Sequence, residues 1–171
     1  NLLADVQLRD EPVEPAWHGP PVTAGYEKLL HTRTENQPGM HAILRDFQNV
    51  LKEFGEDRMM IGEIYADKIV TEQDVMSYYG TEEQPEFNMP FNFALVPFFG
   101  ASFTSETSNV DFRNATALRR TVDHYDSIVP KWAQPNWVLG NHDNRRVRSR
   151  VGGSEQLARS LMVLLLSLRG T

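Results

Sequence analysis

Cysteine is absent from the 171 residues, which excludes a disulfide scaffold, a thiolate zinc site and a cysteine nucleophile, and leans towards a reducing compartment, so a cytoplasmic setting is expected with secretion as the alternative. Long apolar runs are missing too. The longest, Leu161 to Leu166, is six residues, against the roughly 20 that span a bilayer, so no membrane partner is expected. The first ten residues have neither a basic start nor an apolar core, and no targeting segment is visible. No Gly-x-Gly-x-x-Gly, phosphate loop or Gly-x-Ser-x-Gly occurs. Bases are outnumbered, 17 Lys and Arg against 23 Asp and Glu for a net charge of -6, which counts against a general nucleic-acid binder.

What is present is an ordinary soluble composition, 40% hydrophobic and 10% aromatic, at a length that allows one domain or a large piece of one. Charge is unevenly placed. Residues 1–90 carry 17 acids against 7 bases and residues 91–171 carry 6 against 10, so the two halves should attract each other. Four of those bases, Arg145, Arg146, Arg148 and Arg150, form one run that reads as a solvated or ion-paired face, an anion site or part of a pocket.

Residues 9–25 hold four prolines and two glycines and predict an irregular loop, long enough to border a site or to show that the chain starts within an architecture. Met40, Ile43, Leu44, Phe47, Val50, Leu51 and Phe54 recur at helical spacing and predict an amphipathic helix closed by Gly55. Arg58 to Gly62 reads as a buried strand and Glu72 to Tyr79 as a helix. Phe87 to Val96 reads as a second strand, shortened by Pro90. Residues 100–112 are Ser/Thr/Asn-rich loop. Asn114 to Val129 is the next helix, striped by Leu118, Val122, Tyr125 and Val129. Trp137 to Gly140 is a third strand, and Ser154 to Leu168 is a helix whose near-continuous apolar character implies burial against a sheet. This alternation is the signature of an α/β fold with a parallel sheet and crossover helices.

Two predicted strand ends deliver acids to the same face: Glu63 after Met59-Met60-Ile61-Gly62, and Asp143 after Gly140-Asn141-His142. Polar residues at strand ends are where parallel α/β folds build sites. Carboxylates from different strands suit acid/base work, since one is held protonated while another stays ionised. Gly140-Asn141-His142-Asp143 also fits a dinuclear metallophosphoesterase, but that site needs an Asp-x-His, a Gly-Asp-x-x-Asp and later histidines, all missing here. His18, His31, His41 and His124 lack ligand spacing, so no metal is expected. Tyr78-Tyr79, Phe98-Phe99, Phe91 and Phe93 read as packing, with stacking on a sugar ring as the alternative.

Leu8-Arg9-Asp10, Tyr26 to Thr32, Ile61-Gly-Glu-Ile-Tyr65, Met89-Pro-Phe-Asn-Phe93, Pro135 to Asp143 and Arg146-Val-x-Ser-Arg150 together resemble the alpha-amylase family of glycoside hydrolases, in its alpha-glucosidase and oligo-1,6-glucosidase branch. The resemblance covers almost the whole chain in order. It implies a (β/α)8 TIM barrel, of which this chain covers strands 5–7 and their helices, with residues 1–37 a loop region after strand 4 and residues 38–171 running from helix 4 through helix 7. It also implies a retaining mechanism on alpha-glucosidic bonds of maltose, isomaltose or short oligosaccharides. Glu63 matches the general acid/base, Asp143 the transition-state-stabilising carboxylate, His142 a hydroxyl-binding histidine and Arg146 an arginine near the substrate. The family's nucleophile, an aspartate in Arg-x-Asp on strand 4, has no counterpart here, and neither Asp5 nor Asp10 replaces it. No cofactor is expected in this segment, since the family's calcium loop lies outside it. The expected partners are the sugar substrate and the remainder of the same barrel. The second class consistent with the resemblance is a non-catalytic relative, such as the partner subunit of an amino-acid transporter. Asn114-Ala115-Thr116 is a glycosylation sequon that matters only in a secreted protein.

Overall fold

The computed structural model describes residues 7, 9–15, 29–64, 70–96 and 114–171. The proline-rich loop beyond Pro15, the 100–112 loop, Tyr65 and Phe98-Phe99 fall outside them. The chain divides into two units, one of Asn1–Arg58 with Ala66–Glu86 and one of Met59–Tyr65 with Phe87–Thr171.

In the first unit the periodic stripe becomes α1, Gly39–Glu53. Pro38 stands just ahead of it, where a fixed helical φ helps and a missing N–H costs nothing. Leu44 and Gln48 are its buried residues, while Phe47, Val50 and Phe54 are exposed. Positions 41, 45 and 48 fall on one helical face, and all three serve Glu86, which is only 2% exposed. His41 Nδ1 lies 2.6 Å from Glu86 Oε2, Arg45 Nη1 donates to Oε1 at 2.7 Å, and Gln48 Nε2 donates to the Glu86 carbonyl at 2.5 Å. The Tyr78 ring stacks on His41 with centroids 4.8 Å apart. A buried carboxylate is tolerated because it is paired and hydrogen-bonded in this way. Helix α2, Glu72–Ser77, is shorter than the pattern predicts. A capping box starts it: Asp74 N donates to Thr71 Oγ1 at 3.2 Å, and Thr71 N donates to Asp74 Oδ2 at 2.8 Å.

The second unit holds a three-stranded parallel sheet in the order β1-β2-β3, with β1 Ile61–Gly62, β2 Met89–Asn92 and β3 Asn136–Trp137. Ile61 pairs with Met89 and Gly62 with Pro90, then Phe91 with Asn136 and Asn92 with Trp137. All three strands are shorter than the apolar runs suggest, because each pairing overlaps for two residues only. Pro90 is accommodated by register. It lies opposite Gly62 of β1, and β3 pairing begins one residue later at Phe91, so Pro90 stands outside the pairing with β3. Gly62 is required by close approach, since a Cβ there would lie 2.4 Å from the Phe87 ring.

Helix α3, Ala115–Ile128, begins at Asn114, whose side chain accepts from Ala117 N, and stops before Pro130. Its stripe ends in buried Tyr125 and Val129, and the Tyr125 ring meets Trp137 at a centroid distance of 5.5 Å. A short α4, Val147–Arg150, follows β3 and was not predicted by the pattern. Helix α5, Glu155–Ser167, is capped by Ser154, where the predicted helix begins. Its burial is not as expected. Leu161 is buried, whereas Met162, Val163 and Leu166 are 50%, 67% and 79% exposed. Six consecutive apolar residues surround the helix, and only one strip of it meets cover among the described residues.

Two expectations follow. Glu86→Ala should cost about 1–3 kcal/mol, the range for stranding buried hydrogen-bond partners, and no more, because Arg45 at 39% and His41 at 28% side-chain exposure can regain water. A urea-denaturation midpoint measures it. The Asp74 carboxyl is held below its ordinary value of 3.8 by hydrogen bonds from the Thr71 hydroxyl and then the Thr71 N–H. A lowered folded value means that the contribution is complete above the unfolded value and is lost as pH falls through the folded one. Asp74→Ala should therefore cost about 1 kcal/mol at neutral pH, with the gap to the parent closing as denaturation is repeated at progressively lower pH within the acid range.

Candidate active site

Parallel pairing sends the C-terminal ends of β1, β2 and β3 to one edge of the sheet, the edge where barrels of this architecture carry their sites. Glu63 is the first residue past β1 and is exposed. His142 and Asp143 lie in the loop that follows β3, with side chains 84% and 36% exposed. Neighbouring strands are about 4.8 Å apart, so β1 and β3 are separated by about 10 Å across β2. The structure brings His142 and Asp143 together, Nε2 to Oδ1 at 3.5 Å, and sets Glu63 at the same edge two strands away. Arg146 immediately precedes α4 and is exposed.

The loop bearing His142 and Asp143 is shaped by Asn141, whose Oδ1 accepts from Asp143 N at 3.1 Å and from Asn144 Nδ2 at 2.5 Å. This Asx-type turn is what Asn supplies where a chain must reverse after a strand. Asn92, closing β2, repeats the device: its Oδ1 accepts from Ala94 N at 2.9 Å and its carbonyl accepts from Val138 N at 3.2 Å. The remaining amide nitrogens, Asn92 Nδ2 and Asn141 Nδ2, are buried without an acceptor among the described residues. Such orphaned donors are uncommon, and both stand at the edge that carries the candidate acids.

Sequence reasoning left the arginine run open, and its members separate here. Arg150 is half-buried and donates to the carbonyls of Arg145 (3.0 Å), Val96 (3.3 Å) and Leu139. Burial pushes its guanidinium below the usual arginine value, though an arginine stays charged. Arg148 Nε donates to the Gly153 carbonyl at 3.0 Å. The only sequence signal for Arg150 is its place in Arg146-Val-x-Ser-Arg150. Among the described residues no three His, Asp or Glu side chains gather as a metal centre, and no helix is long and apolar enough to cross a membrane.

A parallel α/β section with polar loops at its C-terminal edge fits part of a (β/α)8 barrel. The family model of the alpha-amylase catalytic domain matches residues 5–171, and the chain belongs to the alpha-amylase family. Among relatives, it is 32% identical to a salivary alpha-glucosidase of Anopheles gambiae over 86% of this chain and 23% of that protein. It is 31% identical to an alpha-glucosidase of Apis mellifera over 99% and 26%, and 30% identical to an amino acid transporter heavy chain of Homo sapiens over 99% and 23%. The chain spans about a quarter of the length of these curated relatives. A solved structure of a trehalulose synthase MutB mutant superposes with a TM-score of 0.62 at 24% identity, over 79% of this chain and 24% of that one.

Proposed function

We propose that this chain is the acid/base-bearing section of a retaining glycoside hydrolase that acts on alpha-glucosidic bonds of short gluco-oligosaccharides. The observation that carries the reading is the pair of acids, Glu63 and Asp143, at the C-terminal edge of one parallel sheet in a chain of this family. In it, Glu63 protonates the leaving glycosidic oxygen and later takes the proton from the attacking water. Asp143 holds ring hydroxyls and balances the positive charge that develops on the sugar. His142, exposed and adjacent, donates to a hydroxyl of the same ring, and Arg146 approaches the substrate from the start of α4. The chain corresponds to strands 5–7, and the nucleophile comes from a fourth strand outside the 171 residues. No cofactor is assigned to this segment. The relatives named salivary lend no support to a cytoplasmic setting.

A non-catalytic role is the second reading, favoured by the transporter heavy chain among the relatives. The retention of Glu63, His142 and Asp143 supports the enzyme instead.

Two experiments test the proposal. A retaining glycosidase needs a second carboxylate about 5–5.5 Å from its acid, so the purified 171-residue chain should not turn over a chromogenic alpha-glucoside. Measurable turnover by that chain would refute the missing nucleophile. In the full-length protein, Glu63→Gln should slow substrates with poor leaving groups by about 10²–10⁴-fold, the usual worth of general acid catalysis, and activated aryl glucosides far less. Equal losses on both would remove the acid role, and no turnover by the parent would favour the non-catalytic reading.

A further inference from the structure

The loop that presents His142 and Asp143 is closed by a single side chain. Arg150 donates to the Leu139 carbonyl before the turn and to the Arg145 carbonyl after it, so one planar group fixes both ends of the segment. A third donor reaches the Val96 carbonyl beyond β2, which ties that closed loop to the neighbouring strand end. Among the described residues the Asp143 carboxylate meets His142 at 3.5 Å, and that histidine side chain is 84% exposed. The backbone therefore sets where Asp143 stands.

Gly140 supplies an independent observation. A Cβ at this position would lie 2.7 Å from Arg150 Nη2. A free arginine tip would swing aside at little cost, but this one is held by three carbonyls, and moving it breaks those bonds. The glycine leaves open the space through which the guanidinium reaches the strand end.

We infer that Arg150 is a positioning residue, which acts through the 139–145 loop to hold Asp143 in the place its role requires, with Gly140 as the space that admits it. This rests on the functional reading above. Lysine is no substitute, because a compact ammonium lacks the rigid fork that spans three separate acceptors. A misplacement of about 1 Å at a reacting centre costs on the order of 100-fold in rate.

The test is a double-mutant cycle in the full-length protein, with kcat and KM measured on an aryl alpha-glucoside for the parent, Arg150→Lys, Gly140→Ala, Asp143→Asn and the two doubles. Arg150→Lys should lower kcat about 100-fold with KM little changed, and Gly140→Ala should reproduce the loss. In the Asp143→Asn background both should cost little more, because the residue they position is already disabled. Losses of equal size in both backgrounds, or an Arg150→Lys enzyme with the parent's kcat, would overturn the inference while leaving the glycosidase reading intact. A parent without turnover, or an Asp143→Asn variant as active as the parent, would remove that reading and this inference with it. If Arg150→Lys does not fold, Gly140→Ala carries the same cycle.

Discussion

Parallel hydrogen bonding between β1, β2 and β3 is the constraint on which the rest depends. Antiparallel pairing would send the end of β2, with Asn92, to the opposite edge and separate it from the loops that carry Glu63 and Asp143. In the observed register, Gly62 opposite Pro90 and Asn92 opposite Trp137, every strand delivers its following loop to one side. Short strands suffice, since each needs only enough ladder to fix the direction and height of the loop it feeds. The edge residues then complete the arrangement: Asn92 and Asn141 turn the chain, and Arg150 ties the β2 and β3 ends together.

Helix ends were readable wherever local chemistry decides them. Asn114 and Ser154, where two helices were expected to start, cap α3 and α5 through backbone N–H groups three residues on, so the sequence carries the signal for those starts. Strand lengths were less readable, because pairing overlap is set by partners dozens of residues away. The exposed face of α5 is the plainest departure. Composition says that Leu161 to Leu166 prefers burial, but only Leu161 attains it, as cover depends on neighbours that no local pattern specifies.

The candidate acids were legible for a different reason. Glu63 follows β1 directly and Asp143 stands in the loop after β3, and the resemblance of Ile61 to Tyr65 and Pro135 to Asp143 to one family implies roles for them. Arg150 was not legible as a clamp. One of its acceptors, the Val96 carbonyl, lies 54 positions away, and a carbonyl has no sequence signature. The same holds for the buried Glu86 cluster, where His41, noted in the sequence only for lacking metal-ligand spacing, meets a carboxylate 45 positions on.

The central claim is that the C-terminal edge of this sheet holds one sugar ring between Glu63 and the His142-Asp143 loop. A crystal structure of the full-length protein with a cationic glucose mimic tests it most directly. The account predicts the mimic at that edge, with Glu63 facing its anomeric position and His142 and Asp143 on its hydroxyls. A mimic bound elsewhere, or one that contacts neither acid, would contradict it.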